Sequence, residues 1–200
     1  MKALNKIFVT GAALVLLTGC NLFSGKISKE KFQEKIDKLE EHQYTEVKIT
    51  EDIDLKGTED FEDESQKETI TATFTWSEEI ESWTYTDAST MQLGNYIMCL
   101  KDTKVEDLED DSTVPEGIKQ TVTYYSNMKV VITLKGTSDT TEDGVNMKLT
   151  YNDKYVMKFD KYGYLTSLDA NMDQYAEMSY GDMAMKGSIK GTEKVTCEYK

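Results

Sequence analysis

The chain has 200 residues, of which 37 are acidic and 23 basic, so its formal net charge is −14 at pH 7. Every basic residue is lysine, and this acidic composition without arginine argues against nucleic-acid binding, which favours basic surfaces and guanidinium groups. It also argues against attraction to anionic lipid headgroups. The length suits one domain with its own core, surrounded by a solvated acidic surface.

The N-terminal segment has the parts of a secretory signal peptide. Lys2 and Lys6 precede an apolar run, Ile7 to Leu17, that is too short to span a bilayer. The run leads into Leu17-Thr18-Gly19-Cys20, which resembles the lipobox of bacterial membrane lipoproteins. This resemblance implies a signal peptide over residues 1–19 and a diacylated Cys20 that anchors the chain at the extracytoplasmic face of the cell membrane. The all-lysine usage favours a Gram-positive source.

Residues 20–27 are predicted to be the lipidated cysteine and a short tether, and residues 28–200 a single β-rich domain with an N-terminal helix. The helix is expected from Ser28 to about Gln43. Ser28 suits the N-cap, and Ile27 can pack against Phe32 as a hydrophobic staple. Phe32, Ile36 and Leu39 then recur with helical spacing and form one narrow apolar stripe.

From Tyr44 onward the apolar residues recur with a period of two. The clearest predicted strand is Ile70–Trp76, where apolar side chains alternate with threonines. Another is predicted around Val47 and Ile49, and Glu51 interrupts its apolar face. Tyr96 to Leu100 is read as a further strand.

Turn and loop signals divide the C-terminal half into short strands. A polar loop is predicted at 136–144, one turn at Asn152-Asp153 and another at 160–163. The pattern predicts a mainly β (α+β) fold of about 10–11 strands. In it the N-terminal helix packs on a strongly curved antiparallel sheet or half-open β-barrel.

The mature chain is similar in this pattern to lipoproteins of the LolA and LppX kind. The likeness rests on the helix bearing Phe32, Ile36 and Leu39, on the Ile70–Trp76 strand, and on the hairpin from Phe159 to Leu165. It implies a curved sheet whose apolar concave face is partly covered by helix and accepts a hydrophobic ligand. The chain departs from the family in its scarcity of further helices, which leaves the depth of such a cavity open.

Cys99 and Cys197 are the two cysteines that remain after Cys20. In an exported protein they could form a disulfide closing a loop of about 98 residues, or stay as two buried thiols. His42 is the only histidine, so a zinc site or a histidine-based triad lacks its other parts. No motif for catalysis, metal binding or a cofactor is recognised, and we expect a non-enzymatic protein.

Two functions are compatible with these features. The first is binding of a hydrophobic or amphiphilic ligand in the concavity of the sheet. The second is a protein–protein or cell-envelope interaction through the acidic surface or a sheet edge, with an unidentified protein partner; a hydrolase with two paired carboxylates is a third reading. The residues proposed to line the ligand cavity are Phe32, Ile36, Leu39, Phe74, Trp76, Met147, Met157 and Phe159.

Methionines are frequent at the predicted strand positions. Ordinary core packing accounts for most of them, since methionine fills irregular apolar space. A thioether copper site around Met178, Met183 and Met185 is an alternative, although their spacing is irregular.

Replacing Cys20 by serine tests the anchor. Without the thiol no acyl group can be attached, so we expect the protein to move from the detergent-rich to the aqueous phase in a Triton X-114 partition. A Cys99→Ser variant is the matched control and should stay with the detergent. Equal partitioning of the two variants would contradict the lipobox interpretation.

Overall fold

The structure, a computed structural model, describes residues 25–103, 105–112, 114–142 and 144–200. The predicted signal peptide and the predicted lipidation site at Cys20 lie outside these residues. The described part contains one α-helix, two 3-10 helices and nine strands. Their bounds are β1 Lys26–Ile27, α1 Lys29–Ile36, β2 Glu46–Gly57, a 3-10 helix Glu59–Glu64, β3 Gln66–Ser77, β4 Ser82–Tyr85, a 3-10 helix Ala88–Tyr96, β5 Ile118–Tyr125, β6 Lys129–Glu142, β7 Val145–Phe159, β8 Leu165–Tyr180 and β9 Met183–Tyr199.

The strands form one antiparallel sheet in the order β1-β5-β6-β7-β8-β9-β2-β3-β4. The sheet is open, with β1 and β4 as its outermost strands. The mainly β prediction is therefore confirmed, whereas a half-open barrel is not confirmed. The last two residues of the predicted tether, Lys26 and Ile27, form β1 and pair with the end of β5.

The number of strands is lower than the 10–11 predicted because several predicted turns lie inside long strands. Asn152-Asp153 belongs to β7, where Asp153 is buried and accepts hydrogen bonds from Tyr155 Oη at 2.8 Å and Gln174 Nε2 at 2.6 Å. The predicted loop at 136–144 is mostly β6, which runs to Glu142. Polar residues that resemble turn signals along the sequence pair across the sheet in the structure.

Tyr96 to Leu100 is not a strand. Tyr96 ends the second 3-10 helix, and Cys99 forms only an isolated bridge with Tyr164. The helix α1 is also shorter than predicted and ends at Ile36 instead of near Gln43. Ser28 does cap it, since the backbone N–H of Lys31 donates to Ser28 Oγ at 3.4 Å.

One face of the sheet, here called the inner face, carries the core. In antiparallel pairs directly opposed residues share a face, so Phe74, Val47 and Tyr199 lie in one row of it. The main core lies between this face and a cover made of α1 and the described residues of the segment 88–108, namely 88–103 and 105–108. Six side chains of the cover belong to this main core: Phe32, Ile36, Leu93, Leu100, Val105 and Leu108.

Replacing Phe74 by alanine tests how much this packing contributes to the free energy of unfolding. The Phe74 side chain is 2 % exposed, so the Phe74→Ala variant leaves a cavity and should lose about 3–5 kcal/mol of unfolding free energy. Thr73→Ala, on the exposed outer face of the same strand, is the control and should change stability by less than about 0.5 kcal/mol. Urea unfolding followed by circular dichroism measures both, and similar losses in the two variants would refute the assigned faces.

Candidate functional site

The predicted cavity-lining residues are mostly packed against one another. The five that are almost fully buried in the main core are Phe32, Ile36, Phe74, Met157 and Phe159. Leu39 packs against the same core, Trp76 lies edge-to-face with Trp83 at 5.6 Å between centroids, and Met147 joins a second cluster. Side chains with so little exposed surface have no water-sized space beside them, so the covered part of the inner face is filled.

The cover is fastened to the sheet by a buried acid pair that sequence reasoning missed. Tyr96 Oη lies 2.7 Å from Glu51 Oε1 on β2 and 2.9 Å from Glu193 Oε1 on β9. Glu51 is 7 % exposed and Glu193 5 %. The sequence signal was the acid at position 51 on an otherwise apolar strand face. It marked a break in the pattern, but nothing along the chain indicated its partners.

Burial shifts the protonation of Glu193. It raises the pKa of Glu193 to about 7, because the charged carboxylate loses its hydration; Tyr96 partly offsets this, while the neighbouring Glu51 adds to it. Burial and the two carboxyl groups also raise the pKa of Tyr96 far above its usual range, so its phenol stays protonated and can donate. Glu193 therefore keeps its proton to a higher pH than an exposed glutamate does, at a position with little access to solvent.

Asp153 forms a second polar contact on the inner face. Besides Tyr155 and Gln174, the backbone N–H of Asp173 donates to its carboxylate at 2.9 Å. Burial raises the pKa of Asp153, and these three donors oppose that effect. Because Asp173 and Gln174 lie on β8, while Tyr155 lies on β7 itself, this contact holds β7 in register with β8.

Cys99, His42 and Asp102 line one pocket beside the hairpin of residues 160–163. His42 is stacked on Tyr162 with ring centroids 4.2 Å apart, and the Cys99 thiol lies 3.8 Å from Tyr162 O. Burial raises the pKa of Cys99, which keeps it a neutral thiol, and a neutral thiol is a poor nucleophile. The grouping thus lacks the activated cysteine of a cysteine hydrolase.

Cys99 and Cys197 are both free and buried in the structure. Cys197 Sγ lies 3.9 Å from Tyr96 O, and burial raises its pKa to about 12. The arrangement corresponds to the buried-thiol alternative, and the disulfide stays a prediction. Among the described residues no group of three or more His, Cys, Asp or Glu side chains is placed to hold a metal ion.

The inner face continues past its cover at the end where β8 turns into β9. Here Met147, Met178 and Met185 are directly opposed on β7, β8 and β9. Tyr180 is opposed to Met183 and lies one inner-face position beyond Met178. Tyr180 is 55 % exposed and Met183 67 %, so this end of the inner face is open to solvent. We call Met147, Met178, Met183 and Met185 the far-end methionine cluster.

Comparison with protein-family models, with curated proteins and with solved structures finds no match for this chain. The resemblance to bacterial membrane lipoproteins, and to those of the LolA and LppX kind, stays a prediction. Within the described residues, no helix has the length and apolar character needed to cross a membrane.

The free energy of unfolding should fall as the pH rises, because Glu193 loses its proton. The pKa of the Glu193 carboxyl is about 7 in the folded state and near 4.5 for an exposed glutamate. Between these two pH values only the folded state keeps the proton. The stabilisation by this proton is complete below pH 4.5 and is lost as the pH rises to about 7, by about 3 kcal/mol in total.

The Glu193→Gln variant has no carboxyl to ionise and should lose this part of the pH dependence. Glu198→Gln, at an exposed position of the same strand, should keep it. Urea titrations between about pH 4.5 and 8 measure the effect. Parallel stability profiles for the parent and Glu193→Gln would contradict the assignment.

Proposed function

We propose that the protein is a non-enzymatic, lipid-anchored binding protein of the extracytoplasmic membrane face. Its proposed partner is an extended segment of another envelope protein, which adds to the sheet along the outer edge of β3. The lipobox supports the location. The filled interior, the neutral Cys99 thiol and the enclosed acid pair support binding through the surface over catalysis or a ligand deep in the sheet.

The open edge of β3 carries this proposal. β3 pairs with β2 from Gln66 to Thr75, but β4 pairs only with Phe74–Ser77. Residues 66–73 therefore have no strand on their outer side in the described part of the chain. A row of unpaired backbone N–H and C=O groups is a template for an added strand, whose affinity comes from main-chain hydrogen bonds.

The side chains along this edge suit a polar contact. Residues 66–69, Thr71 and Thr73 are exposed, and Lys67 is already paired with Asp54 on β2. The net charge of −14 favours a partner segment of basic character, because complementary charge speeds association and disfavours acidic competitors. Lys67 and Glu68 also protect this edge from indiscriminate pairing, as charges on edge strands commonly do.

Binding of a hydrophobic or amphiphilic ligand is the second candidate. The open far end of the inner face favours it, because Tyr180, Met183 and Met185 are three of the exposed large apolar side chains in the described residues. Met147 is the only predicted lining residue at this end. The ligand would lie on an open surface, since the covered region is filled.

Site-specific photocross-linking tests the edge. Benzoylphenylalanine at Thr71, on β3, should cross-link a partner in the native envelope. The same group at Lys194 is also on the exposed outer face but lies between two paired strands, and it should not cross-link that partner. Cross-links to the same proteins from both positions, or none from Thr71, would overturn the proposal.

Proline substitutions along 68–73 add a second criterion. Residues of an edge strand point their N–H groups alternately inward and outward, so proline is tolerated only where the N–H faces outward. A tolerated proline should leave the thermal unfolding midpoint nearly unchanged and abolish the Thr71 cross-link. Retention of the cross-link in every folded proline variant would show that main-chain pairing is not involved.

A further inference from the structure

We propose that the far-end methionine cluster binds one Cu(I) ion through thioether sulfur atoms. This inference goes beyond partner binding at β3 and does not depend on it. The sheet register carries it, because residues separated by up to 38 positions in the chain become neighbours on one face.

The register places three methionines in one row. Met178 on β8 is opposed to Met147 on β7 and to Met185 on β9. Adjacent strands are about 4.8 Å apart, so the outer two side chains flank the central one closely. Met183 lies two residues from Met185, diagonal to Met178, which is within reach of a long side chain. Each methionine has three rotatable bonds, so their sulfur atoms can converge on one point above Met178.

The neighbouring residues close this row toward the core and leave it open toward solvent. The next inner-face row contains Ala176 opposed to Gly187. A Cβ added to Gly187 would lie 2.6 Å from Phe61, so the Phe61 ring packs directly against that glycine. On the other side the face ends at Tyr180 and Met183, which are largely exposed. An ion can therefore arrive from solvent and meet sulfur atoms backed by an apolar wall.

The charges around the cluster do not oppose a cation. Lys186, the nearest lysine along β9, is paired with Glu59 at 3.8 Å. Its backbone N–H donates to Asp60 at 2.8 Å. On the outer face Lys148 lies 3.9 Å from Glu177. Each of these lysines has an acidic neighbour, in a chain whose net charge is strongly negative.

The chemistry of the side chains selects the metal. Thioether sulfur is a soft, uncharged ligand, and Cu(I) is the soft ion that methionine sites prefer, whereas Zn²⁺, Mg²⁺ and Ca²⁺ favour nitrogen, thiolate or oxygen. Thioethers, unlike thiols, do not form disulfides, so they stay available as metal ligands in the oxidising exterior that the lipobox implies. Methionine does not titrate, so binding should release no proton.

The far-end cluster can be tested with Cu(I) itself. The full chain in detergent is titrated anaerobically, with ascorbate, against a chromophoric Cu(I) chelator. We expect one tightly held equivalent, and the Met178→Leu and Met185→Leu variants should each lose at least about tenfold in affinity, as changes around a metal commonly cost. The affinity should be constant between about pH 5 and 8, since no ligand must lose a proton.

Met91→Leu is the matched control. Met91 is 55 % exposed and lies in the second 3-10 helix, outside the cluster, so its replacement should leave Cu(I) affinity unchanged. Leucine preserves apolar surface and similar volume, so a hydrophobic ligand bound at this end would survive the cluster variants while Cu(I) would not. The leucine variants therefore distinguish bound Cu(I) from a bound hydrophobic ligand at the far end.

Methionine methyl NMR gives a readout that does not depend on competition. On addition of Ag(I), a redox-stable analogue of Cu(I), the methyl signals assigned to Met147, Met178 and Met185 should shift and that of Met91 should not. Equal copper affinity in parent and Met178→Leu, or loss of binding in a Cys99→Ser Cys197→Ser variant instead, would overturn the proposal.

Discussion

The structure depends on the burial of one face of a single open sheet with few elements to cover it. Nine strands present an inner face, whereas the described residues cover it with little more than the eight-residue helix α1, the residues 88–103 and 105–108, and Phe61 of the first 3-10 helix. Apolar burial is the main favourable contribution to folding, so the core forms where this cover lies. The strands reach beyond it, and the inner face is consequently a core at one place and a surface at another.

The acid pair lies within the covered region. A buried carboxyl group without partners is costly, and the Tyr96 hydroxyl reduces this cost because it lies within hydrogen-bond distance of acids on two adjacent strands. The same contact ties the second 3-10 helix to β2 and β9, because Tyr96 ends that helix. Protonation, fold stability and the position of the cover are thus linked through three side chains.

In the described residues, the fold exposes apolar side chains at the far end and unpaired backbone groups along the β3 edge. At the far end apolar methionines meet solvent beyond the cover, and along residues 66–73 backbone groups lack a strand partner. β1 lies at the opposite end of the sheet from the methionine cluster, because it pairs with Tyr124 and Tyr125 at the end of β5. β8 extends over 16 residues, or roughly 50 Å, which separates the two ends of the sheet.

The sequence by itself determined the β class of the fold, the alternation of Ile70–Trp76 and the cap of α1 at Ser28, because these depend on neighbours within a few residues. It also excluded a multi-histidine site, since the chain has one histidine, and the residues Leu17 to Cys20 are the basis for predicting a lipobox. Only the tertiary structure decided that Asp153 pairs inside a strand, that Glu51 and Glu193 share Tyr96, and that Met147 meets Met178 and Met185. Those contacts join residues far apart in the chain, and their formation depends on strand order and register, which hydrophobic periodicity does not specify.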